Sequence, residues 1–188
     1  MIKKYHYKRK NTGFTLIEMI VAVAIVGIFA SIAVPGFSGL LQSNRVSAGT
    51  NLLISGFYLA KNEALKRNNT ITLCASTNQT SCTGGGDYSL GWIIFLDCDG
   101  DQQIGGGAVN CDGGAVADDS EVIIKVQDQV SGLYIDSPSG GSAVSFNYVG
   151  HASFAPQRVM YRVGVSSSDL RRNVFVRKIG RIRTVDRS

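Results

Sequence analysis

A long apolar stretch lies near the start of the chain. Between Phe14 and Val34, 21 residues carry a single charge, Glu18. A helix of that length can span the ~30 Å hydrocarbon core of a bilayer. Pro35-Gly36 then interrupts the pattern and predicts a kink or local melting near residues 31–36.

A helical pattern resumes at Leu40 and continues to Arg67, where Asn68-Asn69 predicts its end. Apolar residues recur along it at three- and four-residue spacing and form one face, which we expect to pack on a globular domain. The members of this face are Val46, Leu53, Phe57, Ala60 and Ala64.

From Thr70 onward the periodicity is that of strands separated by Gly- and Asp-rich segments, which is typical of antiparallel structure. The predicted strands are Ile71–Cys74, Trp92–Leu96, Val122–Val126, Val144–Tyr148, Met160–Val165 and Asn173–Ile179. A long helix followed by strands alone predicts an α+β fold in which the helix lies against an antiparallel β domain.

The charges around the apolar stretch predict its orientation. Before Phe14 the chain has basic residues and no acidic ones, so this flank is expected to stay cytoplasmic while the rest is exported. No small-x-small cleavage site follows Val34, which differs from an ordinary secretory signal and predicts that the apolar segment is retained. The basic residues are Lys3, Lys4, Lys8, Arg9 and Lys10.

The run Gly13-Phe14-Thr15-Leu16-Ile17-Glu18 resembles the prepilin leader of type IV pilins and type II secretion pseudopilins. The resemblance implies that a membrane prepilin peptidase cuts after Gly13 and methylates the new amine of Phe14. Together with the predicted elements, the resemblance divides the chain into a removed leader (1–13), a transmembrane and assembly helix (14–34), an amphipathic helix (35–67), a β-rich domain (70–179) and a basic C-terminal tail (180–188).

Glu18 needs a partner if it lies in hydrocarbon, because a carboxylate there is costly. No Lys or Arg lies between Phe14 and Gln42. The nearest candidate cation is the Phe14 amine of the same or a neighbouring subunit, which predicts a role for Glu18 in assembly. The alternative is an acid tolerated near the membrane interface.

Two further segments narrow the resemblance. Gly91-Trp92-Ile93-Ile94-Phe95-Leu96-Asp97 with its following Asp/Gly loop, and the closing Gly180-Arg181-Ile182-Arg183, look like the GspH/FimT group of minor pseudopilins and minor pilins. This implies a pilin-like fold, other pilins or pseudopilins as partners, and an inner-membrane subunit with a periplasmic domain that later joins a pilus or pseudopilus.

Charge is distributed unevenly along the chain. Residues 14–157 hold 5 basic and 12 acidic side chains, whereas residues 158–188 hold 9 basic and 2 acidic ones. Arginine pairs bidentately with phosphate oxygens, and a basic segment poor in aromatic residues suits backbone contact rather than base reading. The C-terminal segment therefore predicts binding to double-stranded DNA without sequence preference.

The C-terminal Gly-Arg-x-Arg pattern (GRxR) looks like a motif with which members of the FimT subgroup contact DNA in natural transformation. The resemblance assigns DNA contact to Arg181 and Arg183, with Arg177 and Lys178 as weaker candidates. Two alternatives without DNA are an H-type pseudopilin of a type II secretion system and a minor pilin that primes assembly. The basic segment could then neutralise the ten acids between Asp87 and Asp136.

Four cysteines lie in the exported part, and an even number in an oxidising compartment predicts two disulfides. Three pairings are possible, of which we favour Cys74–Cys82 and Cys98–Cys111 because each closes a short loop. A metal site is the alternative, but the cysteines have no CxxC spacing and His151 is the only histidine after Gly13.

No catalytic site or cofactor is predicted. His151 and Ser153 have no acid placed to orient a base. Asp97, Asp99 and Asp101 alternate as calcium ligands do, but Gln102 stands where a calcium loop needs glycine. We favour an exposed turn in which the Asp side chains bond their own backbone, and we predict no metal.

Overall fold

The computed structural model describes residues 13–83, 85–105, 111, 121–154, 158–166 and 169–187, and only the backbone of 33–36, 186 and 187. One helix precedes nine strands in this part of the chain. The elements are α1 (Leu16–Arg67), β1 (Ile71–Ala75), β2 (Trp92–Leu96), β3 (Ile123–Gln127), β4 (Tyr134–Asp136), β5 (Ala143–Phe146), β6 (Ala152–Ser153), β7 (Arg158–Gly164), β8 (Arg171–Arg177) and β9 (Ile182–Arg187).

Both ends of α1 are capped by local chemistry. The Thr15 hydroxyl accepts a hydrogen bond from the Glu18 amide at 3.3 Å, as an N-cap residue does. At the other end Asn68 takes a left-handed conformation with φ of 51°, and the Asn69 amide donates to the Ala64 carbonyl at 3.3 Å. This is the Schellman arrangement, and it confirms the predicted end of the helix.

The chain divides into two compact units, one ending at Leu41 and the other covering Gln42–Ser188. Within the first unit the described side chains are exposed, including Phe14, Glu18 and Ile32. Among the described residues, no single helix crosses a membrane by length and apolarity alone. Leu16–Ile32 and Phe37–Arg67 satisfy both criteria only when they are counted together across a bend.

Two predictions concern residues that the structure describes only in part or not at all. The leader 1–12 lies outside the described residues. The expected kink falls on residues 33–36, whose side chains also lie outside them, and the backbone there is helical.

The second unit contains two antiparallel sheets and the part of α1 from Gln42 to Arg67. The first has the order β3-β2-β1-β5-β6 and the second has the order β4-β7-β8-β9. In the first sheet β1 lies between β2 and β5, with Leu73 opposite both Ile94 and Val144. The predicted α+β fold, a helix packed on antiparallel β structure, is confirmed.

One hydrophobic core joins α1 to both sheets. Phe57 packs against Phe146 of the first sheet and Tyr161 of the second, with ring centroids 6.5 and 5.0 Å apart. All five residues of the predicted helix face are buried, which confirms that assignment. No described buried residue precedes Val46, so the whole core lies after Gln42 and we expect Gln42–Ser188 to fold by itself.

The disulfide prediction is confirmed. Cys74 is bonded to Cys82 and Cys98 to Cys111. Cys74 lies on the face of the first sheet opposite the main core, in a small cluster with Ile93 and Phe95. Because every cysteine is oxidised, none of them is available as a metal ligand.

Strand prediction was incomplete at three places. Tyr134–Asp136 and Ala152–Ser153 form short strands that their composition did not reveal. Ile182–Arg187, assigned from the sequence to a basic tail, is instead the edge strand of the second sheet. Without β9, the edge of β8 would expose unpaired backbone donors and acceptors. Hydrogen bonding to that edge makes the segment a strand although its side chains are mostly polar.

Candidate nucleic-acid interface

The four residues predicted to contact DNA meet at the β8–β9 hairpin. The Gly180 amide donates to the Arg177 carbonyl at 2.8 Å, and the Arg177 amide donates to the Arg181 carbonyl at 3.0 Å. Arg177, Lys178 and Arg181 therefore surround one tight turn, and Arg183 follows on β9 opposite Phe175.

The tip of this hairpin is docked onto the rest of the unit. The Ala152 amide donates to the Lys178 carbonyl at 2.8 Å, and Lys61 Nζ on α1 donates to the Gly180 carbonyl at 3.0 Å. Gly180 has φ of +68°, and a Cβ there would lie 1.9 Å from the Gly150 carbonyl oxygen. Only glycine allows this backbone contact, so the glycine of the GRxR motif has a packing function.

Strand alternation separates apolar from basic side chains around the hairpin. Val174, Val176 and Ile182 are buried in the core, whereas Arg177, Arg181 and Arg183 are exposed. Because successive side chains of a strand point to opposite faces, the exposed arginines share the outer face of the second sheet. The basic segment is thus held on a sheet rather than on a free tail.

Strand β7 adds two arginines that sequence reasoning did not assign to the site. Arg158 lies opposite Arg177, and Arg162 lies further along β7, opposite Asn173. Their alternation along β7 was visible in the sequence, but only the pairing of β7 with β8 places them here. We call the exposed set Arg158, Arg177, Arg181 and Arg183 the arginine face.

Electrostatic pairing distinguishes these arginines. Arg162 forms a bidentate ion pair with Asp136, and this hydrogen bonding raises the pKa of its guanidinium above the usual value. Ion pairs also join Glu63 to Lys66 and Arg67, and none of these described pairs involves the arginine face. The arginine face therefore carries positive charge that no described acid neutralises.

A groove of about 640 Å³ opens on the arginine face. Its wall includes Ser139, which accepts a hydrogen bond from the Met160 amide at 3.0 Å. The Arg158 guanidinium lies 5.4 Å above the centroid of the Phe175 ring, at cation–π distance. The lining residues are Ser139, Arg158, Met160, Phe175, Arg177, Lys178 and Ile179.

The Asp97–Asp101 turn corrects part of the sequence interpretation. Asp99 and Asp101 are exposed and accept hydrogen bonds from the amides of Asp101 and Gln103, as expected. Asp97 is instead fully buried and bonded to the Thr72 hydroxyl and the Gly100 amide. Burial raises the pKa of its carboxyl, and the nearby Asp101 and Asp99 add to that effect.

Glu121 joins this turn from a distant part of the sequence. It accepts hydrogen bonds from the Cys98 and Gly105 amides, both at 3.1 Å. Carboxylate oxygens of Asp97, Asp99, Asp101 and Glu121 lie within 4.8 Å of one another, close enough to share one cation. Acidic side chains of this kind also occur without an ion, so the prediction of no metal stays a prediction.

Comparison with known proteins identifies the family. A family model described as Type II transport protein GspH matches residues 49–180. The chain belongs to the GspH family. A second model, described as the prokaryotic N-terminal methylation motif, matches residues 8–34. This GspH-family chain is of the minor pilin or pseudopilin type.

Individual relatives are pilins. The chain is 33% identical over 86 residues to the type IV major fimbrial protein FimA of Dichelobacter nodosus, a match that covers 46% of each protein. It is 47% identical over 47 residues to the type IV major pilin protein PilA of Myxococcus xanthus, covering 24% of this chain and 21% of PilA. The chain therefore spans less than half the length of the curated relatives it matches.

The fold has a counterpart among solved structures. The type IV minor pilin FimU of Pseudomonas aeruginosa superposes with a TM-score of 0.53 over 76% of this chain and 89% of FimU. Sequence identity is 16%, so this likeness establishes the pilin-like fold and no shared residue function.

Proposed function

We propose that this GspH-family subunit binds extracellular DNA non-specifically through its arginine face and serves DNA uptake in natural transformation. The observation that carries the proposal is the exposure of Arg158, Arg177, Arg181 and Arg183 on one sheet face without a described acid partner. Exposed guanidinium groups that no described acid pairs with can form charge-assisted hydrogen bonds with phosphate oxygens.

Cations held together on one sheet face can bind duplex DNA by its phosphate backbone. Arg177 and Arg181 face each other across the hairpin, and Arg183 lies two residues further along the chain, on β9. Their side chains share a face, so one duplex can contact all of them at once. Contacts to phosphate carry no sequence information, which predicts similar affinity for unrelated sequences.

The test is duplex binding by the unit Gln42–Ser188, which lacks the five basic residues of the leader. We expect R181A/R183A to weaken binding to every sequence and to flatten the logarithmic salt dependence by about 0.9 for each phosphate that is no longer neutralised. The matched control is K66A/K125A, which removes the same charge from exposed positions on α1 and β3. Equally weakened binding by both variants, or no binding by the unchanged unit at low salt, would refute the proposal.

A second candidate function is structural. The match to the GspH family favours a minor pseudopilin of a type II secretion system, or a minor pilin that primes filament assembly, without any DNA. In that case the arginine face would meet acids of a neighbouring subunit. Salt-dependent co-purification with other pilins that R181A/R183A abolishes, together with absence of DNA binding, would support this candidate.

Processing and membrane insertion complete the proposal. The methylation motif covers Gly13 and Phe14, and the exposed large apolar residues of α1 occur on all its sides between Phe14 and Ile32. A helix that is apolar all round suits a bilayer or the interior of a filament. We propose that prepilin peptidase cleaves after Gly13, that residues 14–34 anchor the subunit in the inner membrane, and that Glu18 pairs with a Phe14 amine on assembly.

A further inference from the structure

The groove on the arginine face combines an apolar floor with a cationic rim. Met160 and Phe175 are half-buried on the floor, and Ile179 is 61% exposed at one end. Arg158, Arg177 and Lys178 are exposed around them. Binding of phosphate would need only the cationic rim, so the apolar floor requires a separate explanation.

The floor is not left over from core packing. Phe175 and Met160 are cross-strand neighbours on the outer face, whereas the core residues Val174 and Tyr161 point the opposite way. An aromatic ring at this position therefore leaves apolar surface exposed to solvent and does not stabilise the core. Nucleobases stack on such rings, and a volume of about 640 Å³ falls in the range of small-molecule sites.

We propose that the groove takes an unpaired nucleotide, so that the arginine face prefers single-stranded DNA or a single-stranded overhang to blunt duplex. This inference rests on the proposed function, because it names the form of DNA that the same surface prefers. In a duplex the faces of the bases are covered by their neighbours and cannot reach a ring. In a single strand one base can lie on Phe175 while its phosphates meet the rim.

Arg158 is the group that links floor and rim. Its guanidinium now lies over the Phe175 ring and has no described acid partner. An entering base can take its place on the ring, and the guanidinium then becomes available to the adjacent phosphate. Both the ring and the cation keep a favourable contact in this exchange.

The experiment compares two probes with the unit Gln42–Ser188. The probes are a fluorescein-labelled oligothymidine of about 20 nucleotides and a blunt duplex of the same length, followed by fluorescence anisotropy. We expect F175L, which keeps an apolar side chain but removes the ring, to weaken oligothymidine binding about fivefold or more. Duplex affinity should change less than about twofold, the size of an ordinary surface substitution.

Two controls separate this inference from the proposed function. Y148A removes an exposed tyrosine outside the groove and should leave both affinities unchanged, whereas R181A/R183A should weaken both probes. Binding of the duplex with no effect of F175L on oligothymidine refutes the nucleotide groove and leaves the proposed function standing. No binding of either probe refutes both.

Another class of ligand is distinguished by one additional measurement. A phospholipid also combines an apolar part with an anionic phosphate. If sedimentation with phosphatidylglycerol vesicles is reduced by F175L while oligothymidine binding is not, the groove takes lipid and the nucleotide inference is wrong. Unchanged sedimentation beside the expected weakening of oligothymidine binding supports it.

Discussion

At the scale of single residues, burial decides what a carboxylate does. Asp97 has no exposed surface, whereas Asp99 and Asp101 in the same turn are exposed. Burial raises the pKa of Asp97 because it penalises the charged form, and the hydrogen bonds from Thr72 and Gly100 only partly offset this. Burial likewise raises the pKa of Glu121, helped by the charges of Asp97 and Asp99.

These shifts predict the sign of a pH effect on stability. A carboxyl whose pKa is higher in the folded state destabilises that state at neutral pH. The penalty disappears as pH falls through the folded pKa towards the unfolded value near 3.8. We therefore expect D97N to raise the free energy of unfolding at pH 7. As pH falls, the free energy of unfolding should increase less in D97N than in the unchanged protein. The measurement is urea unfolding in buffer with a chelator.

The asparagine side chain can replace the contacts of Asp97. Its carbonyl oxygen can accept from the Gly100 amide, and its amide can donate to Thr72, whose hydroxyl is 2.7 Å from that of Ser145. D99N, at an exposed position, is the control and should change the pH dependence less. An unchanged pH dependence in D97N would show that burial does not penalise this carboxylate.

At the scale of elements, the β8–β9 hairpin shows how a short motif combines a backbone packing contact with exposed positive charge. Gly180 allows the turn to reach Gly150, and the flanking Arg181 and Arg183 are thereby held on the outer face. Lys61 of α1 donates a hydrogen bond to the same turn, so contacts from α1 and from the Gly150 turn both determine where the arginines lie. Composition predicted the basic character of this segment, but not that it is a strand.

The hairpin predicts a sharp difference between two glycines. G180A should destabilise the unit Gln42–Ser188 by at least about 2 kcal/mol, because it combines a left-handed backbone with a clash against the Gly150 carbonyl. Gly140 has φ of +82° and nothing within 4 Å of its would-be Cβ. G140A should therefore cost only the backbone term, about 1–2 kcal/mol.

Urea unfolding of both variants provides the measurement. If G180A proves no more costly than G140A, the hairpin tip is free to move away from Gly150. The docked turn would then not be what positions Arg181 and Arg183.

At the scale of the whole molecule, the two units of the chain carry different surfaces. The first unit contributes an exposed apolar helix with one acid, Glu18, and the second contributes the core and the arginine face. Outside the leader, basic and acidic side chains are equal in number, 14 each. The positive surface is therefore a local property of one sheet and not of the protein as a whole.

Assembly supplies the prediction at this scale. We expect both E18A and the isosteric E18Q to reduce the amount of this subunit in sheared filaments, because each removes the carboxylate that would pair with a Phe14 amine. E63Q, at the far end of α1, is the control and should assemble normally. Wild-type incorporation of E18Q would mean that Glu18 is only an acid tolerated near the membrane interface.

Much of the architecture was predictable because it depends on local pattern. Spacing along α1 identified its buried face, the Asn68-Asn69 pair marked its end, and six strand segments were recognised from their apolar residues. Short loops favoured the correct disulfide pairing. Strand β9 escaped prediction because its pairing with β8, rather than its own side chains, makes it a strand.

The apolar helix, the acid within it, the cysteine pairing and the basic C-terminal segment could all be read from the amino-acid order, because each depends on residues near one another in the chain. Folding was needed to place Arg158 beside Arg177, to put Phe175 on the groove floor and to bring Glu121 to Asp97. These contacts join residues that are distant in sequence, and strand pairing and burial decide them.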